Sequence, residues 1–137
     1  MNDRSEMSRL YGLIGLLAVL AGPPAFAEVM DDVTPLQQRW AEVKYQTPED
    51  KQAVEFERLA QEAQTVVQKN AGAPEALIWQ GIILSTWAGA KGGMGALKLC
   101  KQAKASFEEA MKIDPNALQG SAYTSLGSLY YQVPGWP

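Results

Sequence analysis

From Thr34 onward, apolar residues return every three or four positions, the period of a helix with one buried face. A first helix is predicted to begin at Thr34-Pro35. Thr34 suits the cap, Pro35 the first helical position, and Gln37 completes a capping box. It carries Leu36, Trp40 and Val43 to about Tyr45. A second is predicted from Thr47-Pro48, with Asp50 three residues after the cap. Its stripe is Ala53, Phe56, Ala60, Ala63 and Val67. Lys51, Glu55, Arg58 and Glu62 fall away from that stripe, and Asn70-Ala71-Gly72 ends the helix.

The third helix, starting at Pro74, has a different pattern. Leu77, Ile78, Trp79, Ile82, Ile83, Leu84 and Trp87 cover nearly its whole circumference, which predicts a buried central helix. Gln80, Ser85 and Thr86 interrupt it, and it is too short to cross a bilayer. A glycine-rich stretch, Gly89 to Gly95, reads as a connector. The fourth helix is predicted over about Ala96–Ile113, with Ala96, Cys100, Ala103, Phe107 and Ala110 inward and Asp114-Pro115 as its stop. The fifth runs from about Leu118 to Gln132. Alternation with period two is absent over any useful length, so the fold class predicted is all-α.

Two of these helices share a frame. Leu77, Gln80, Gly81 and Leu84 have the spacing of Tyr123, Leu126, Gly127 and Tyr130. A glycine in such a frame lets a neighbouring helix approach closely, and the small Ala103 and Ala110 do the same from the other side. Phe107 is expected to fill the gap between successive hairpins. The set Ala103, Phe107, Ala110, Pro115, followed by Tyr123, Leu126, Gly127 and Tyr130, resembles the tetratricopeptide repeat (TPR), a helix-turn-helix unit of about 34 residues. Gly81 and Gly127 lie 46 positions apart. The resemblance therefore implies a long loop, Gly89–Gly95, inserted in the hairpin. It is strong over Leu77–Tyr131 and weak over Thr34–Ala73. The segments Ala88–Gly93 and Tyr131–Pro137 also look like those of exported bacterial TPR proteins. Part of that group is similar to the periplasmic TPR component associated with TRAP-type transporters. The resemblance thus implies a TPR-like solenoid of about five helices over 34–137 whose last hairpin lacks its second helix. The chain is accordingly expected to be a piece of a longer repeat protein, or to have its last helix covered by another chain. Self-association through that helix is one such arrangement.

The residues before this domain read as a secretory leader. Arg4 and Arg9 precede an apolar run, Leu10 to Leu20; Gly22-Pro23-Pro24 and Ala25-Phe26-Ala27 follow. This layout predicts a signal peptide over 1–27, cleaved after Ala27, then a flexible start over 28–33. The expected location is the periplasm, with no stable membrane span after cleavage. The formal net charge of −3 argues against nucleic acid as a partner and against electrostatic docking on anionic lipid.

Candidate chemistry is sparse. There is no histidine, and the lone Cys100 reads as a small buried residue. Asp31-Asp32, Glu49-Asp50 and Glu108-Glu109 are acidic pairs that helix ends and solvated faces explain. Gly89–Gly95 lacks the Ser or Thr after Lys91 that a phosphate loop needs. No enzyme activity, metal or cofactor is expected. In a TPR-like stack the first helix of each hairpin lines a concave wall. By position that wall holds Glu75, Ile78, Ile82 and Ser85, then Ser121, Thr124, Ser128 and Tyr131. Lys91 and Trp136 mark a loop edge beside it. The wall is small, apolar and hydroxyl-rich, and suits a neutral or apolar ligand or an extended peptide. The expected function is an exported interaction module for a protein or peptide partner. The alternative is a small-molecule or lipid carrier working with a transporter component.

Overall fold

A computed structural model describes residues 25–133 and 135. The predicted leader up to Pro24, and Trp136 at the predicted loop edge, lie outside the described residues. The fold is all-α: α1 (Phe26–Gln46), α2 (Glu49–Lys69), α3 (Pro74–Lys91), α4 (Gly93–Ile113) and α5 (Ser121–Gln132), with a short 3₁₀ turn at Ala117–Gly120. Consecutive helices pack against one another. In addition α3 touches both α1 and α5, so these three form one side of the stack while α2 and α4 form the other. The third helix is central, as its pattern predicts.

The first helix starts eight residues earlier than predicted. The segment 28–33, expected to be flexible, is helical, and its Val29 and Val33 are buried. The stripe Val29, Val33, Leu36, Trp40, Val43 explains this, because its three-and-four steps begin well before Thr34. Val29 and Val33 pack with Ala73 and Ala76 at the start of α3. Pro35 therefore stands inside a helix, where it forfeits a hydrogen bond to Asp31. Both residues are exposed, so water can reach the freed carbonyl. Asp32, expected in a flexible start, instead accepts from Lys69 Nζ at 2.7 Å and from Asn70 Nδ2 at 2.9 Å, tying α1 to the end of α2.

The predicted cap at Thr47 is not made: Pro48 holds the cap position and no side chain bonds there. Gln52 closes this turn instead. Its Nε2 donates to the carbonyls of Lys44 (3.3 Å) and Thr47 (3.0 Å).

The glycine-rich connector is also not a loop. Ala88, Gly89, Ala90 and Lys91 continue α3, and α4 starts at Gly93. Gly92 and Gly93 turn the chain, both at positive φ (63° and 67°), a conformation that favours glycine. The residues counted as an insertion lengthen the two helices, to 18 and 21 residues.

Phe107 packs within the α3–α4 hairpin, over Gly81. The reason is that Gly81 leaves an opening the size of a ring. On the same seam Gln80, an interruption in the apolar pattern, links three helices. Its Nε2 donates to Gln64 Oε1 at 2.7 Å, and its Oε1 accepts from Ser106 Oγ at 3.0 Å. Asp114 and Pro115 stop α4, with Asp114 Oδ1 accepting from the Asn116 amide at 2.9 Å. The next helix begins three residues later than predicted, because Leu118 and Gln119 adopt left-handed backbone angles (φ 47° and 59°).

Candidate functional site

A cleft of about 450 Å³ lies between α1, α3 and α5, with the start of α2 at one end. Four of the eight predicted wall residues line it: Ile82 and Ser85 from α3, Thr124 and Ser128 from α5. They converge because α3 and α5 pack against each other and these positions share a face at helical spacing.

The other four do not belong to it. Ile78 is fully buried in the core, since its side of α3 meets the body of the stack. Glu75 lies at the opposite end of α3, in a separate hollow with Phe26 and Ile113. Ser121 gives its hydroxyl hydrogen to the Leu118 carbonyl. Tyr131 is 90 % exposed and does not line the cleft. Lys91 sits on the last turn of α3, its Nζ 5.6 Å above the Trp87 ring, and not on a loop edge.

Side chains from α1 and α2, which the repeat frame did not reach, complete the cleft. Trp40 is the main one. Its Nε1 donates to Thr86 Oγ1 at 3.0 Å, and Thr86 Oγ1 donates in turn to the Ile82 carbonyl at 2.7 Å. Trp79 and Tyr45 meet the Trp40 ring edge-on at 5.9 and 6.0 Å. The indole is thereby fixed as a rigid base to the cleft. Lys44, Glu49 and Gln52 close one end. The signal for Trp40 was its place on the α1 stripe, where it is half-buried along with Arg39 and Ala41.

The hydroxyls divide into two groups. Ser85 and Thr86 spend their hydrogens on the Ile82 carbonyl and keep acceptor capacity. The side chains of Thr124, Ser128 and Gln132 make no hydrogen bond to the rest of the described protein, so their donors and acceptors are open to a ligand. Lys44 and Glu49 are exposed and form no ion pair with each other. Fixed apolar surface with free neutral hydrogen-bonding groups around it can hold a polyamide backbone and an apolar side chain together.

Among the described residues no group of His, Cys, Asp and Glu is placed to hold a metal ion, and no helix is long and apolar enough to cross a membrane. Cys100 is buried, and that burial pushes its thiol above the ordinary value. No protein-family model matches the chain, and no curated protein or solved structure matches it. The reading of the cleft therefore rests on its own geometry.

Proposed function

We propose that this chain is an exported, TPR-like interaction module that receives an extended segment of a partner protein in the cleft between α1, α3 and α5. One observation carries this reading: the rigid Trp40 base faces the unsatisfied Thr124, Ser128 and Gln132 side chains across an open cleft. Main-chain amides and carbonyls of an extended peptide would pair with those neutral groups, and an apolar side chain would rest on the indole. Few charges would be needed, which agrees with a lining whose only ionisable members are Lys44 and Glu49. The carrier reading, a small molecule or lipid handled beside a transporter, calls for an enclosed apolar cavity. The cleft is open to solvent and its lining is mixed, which favours the peptide.

A photo-crosslinking residue at Thr124, introduced in the protein's own host, tests this. The expected result is a cross-link to one protein, absent when the same residue replaces the exposed Glu57 on α2, and lost in Ser128→Trp, which fills the cleft. A small molecule retained in native mass spectrometry and displaced by Ser128→Trp, with no protein cross-link, would overturn the reading in favour of the carrier.

A further inference from the structure

The net charge of −3 conceals a segregation of charge along the chain. From Ala76 to Phe107 the only ionisable side chains of fixed charge are Lys91, Lys98, Lys101 and Lys104, with no acidic residue among them. The acids gather in α1 and α2, among them Asp31, Glu42, Glu49, Asp50, Glu57 and Glu62. The whole α3–α4 hairpin adds Glu75, Glu108, Glu109 and Lys112 near its base, for five lysines against three glutamates, so its positive charge is concentrated toward the tip.

Its tip is also apolar. Met94 is 96 % exposed and Leu97 47 % exposed. Met94, Leu97, Lys98 and Lys101 follow one another at steps of three, one and three, and all four are exposed, so they share the outer face of α4. At about 1.5 Å per residue, Lys98 stands about 8 Å and Lys101 about 12 Å along α4 from Gly93. Lys98 is thus within about one Debye length of whatever the tip touches, and Lys101 close to it. Neither lysine has an ion-pair partner among the described residues.

We propose that this tip docks on an anionic phospholipid bilayer, with Met94 and Leu97 entering the interface and Lys98 and Lys101 lying over the headgroups. Shape selects a lipid surface over an acidic protein. Met94 stands clear of the fold and lines no hollow described above, so it offers a protrusion to a broad deformable surface. Apolar insertion and a basic rim reinforce each other, and either alone would be marginal. Two apolar side chains and two lysines give weak, reversible, salt-sensitive attachment. The proposal is independent of the cleft's ligand. It amends the expectation from net charge, which summed two faces that a membrane would meet separately.

The test uses the full chain with Met94→Cys carrying an environment-sensitive fluorophore. The buried Cys100 stays unlabelled, which the mass of the product verifies. A second protein carries the probe at Glu57→Cys on α2, so that adhesion through the leader is distinguished from docking of the tip. Vesicles of phosphatidylcholine with about one third phosphatidylglycerol are compared with phosphatidylcholine alone. The expected result is a blue shift at position 94, none at 57, only with anionic vesicles, and abolished in 1 M salt, where the Debye length falls to about 3 Å. Lys98→Glu/Lys101→Glu should weaken the response by tenfold or more, since each lysine near such a surface contributes about fivefold. A silent probe at both Met94→Cys and Leu97→Cys would overturn the proposal. So would equal responses at 94 and 57, equal responses to neutral vesicles, or a response to polyglutamate but not to vesicles, the outcome that would assign the tip to an acidic protein.

Discussion

Gly81 of α3 lies directly against the ring of Phe107 of α4: a Cβ at Gly81 would stand 2.5 Å from Phe107 Cε1 and 2.8 Å from Cδ1 and Cζ. Both residues are buried, and real carbon contacts are never this short, so even one methyl group must displace the ring. Gly81→Ala is expected to destabilise the fold by about 1–3 kcal/mol, the usual range for overpacking. Gly127 holds the same place in the repeated frame, yet nothing lies within 4 Å of its Cβ position. Gly127→Ala is therefore expected to stabilise by about 0.5–1 kcal/mol through helix propensity. Urea unfolding of the two variants should move the midpoint in opposite directions. Equal shifts would show that the two glycines are not distinguished by packing.

The Gln64–Gln80–Ser106 chain is fully satisfied, and no buried side-chain nitrogen or oxygen among the described residues lacks a partner. Ser106→Ala removes the donor to Gln80 Oε1 inside a buried seam. A loss of about 1–3 kcal/mol is expected, the cost of one unsatisfied buried acceptor. Gln80→Leu removes the acceptor itself and leaves Ser106 Oγ its bond to the Gln102 carbonyl at 3.2 Å, so it is expected to cost less than Ser106→Ala. Denaturant titration of both variants checks the order.

Asp32 sets an acid limit on stability. Hydrogen bonds from Lys69 and then Asn70 hold its carboxyl below the ordinary value of 3.8. The unfolded chain then takes up this proton at a higher pH than the folded chain. The bond therefore contributes stability above about pH 4, and that contribution disappears as pH falls through the lower, folded value. Asp32→Asn is expected to be less stable than the parent at pH 7 and to lose less on acidification from pH 5 to pH 2. Parallel acid-limb slopes in thermal melts of the two proteins would contradict this.

Cys100 reports global opening. It is 7 % exposed in the main core, and its thiol is pushed up by burial, so both access and thiolate are suppressed. Labelling by a water-soluble disulfide reagent at pH 8 is expected to be slower in the native protein than in 6 M urea by a factor that tracks the unfolding equilibrium. Gly81→Ala should accelerate it, and Gly127→Ala should slow it.

The sequence foretold the helices better than their ends. Stripes such as Phe56–Ala60–Ala63 and Cys100–Ala103–Phe107–Ala110 are buried as their spacing predicts, because periodicity reports a face directly. The boundaries moved wherever local signals competed with packing. Thr34-Pro35 is a good start signal, but burial of Val29 and Val33 against Ala73 and Ala76 extends the helix past it. Gly89 and Gly95 are poor helix residues, yet they continue α3 and α4 because those helices already pack along most of their length. The cleft was half visible for a related reason. A repeat frame assigns positions to faces, so it found Ile82, Ser85, Thr124 and Ser128. It could not supply Trp40, Lys44 and Gln52, which come from a hairpin where the frame is weak, nor see that Ile78 turns inward.

With the turn confined to Gly92 and Gly93, both at positive φ, the α3–α4 hairpin can change length only symmetrically. A residue added to one arm and not the other would rotate its side chains by about 100° and pull Phe107 off Gly81. Matched additions to both arms leave that seam untouched and carry the tip outward. Insertions and deletions tolerated in this hairpin should therefore come in balanced pairs, near whole helical turns, which makes the arm's reach a variable that can be tuned without rebuilding the stack beneath it.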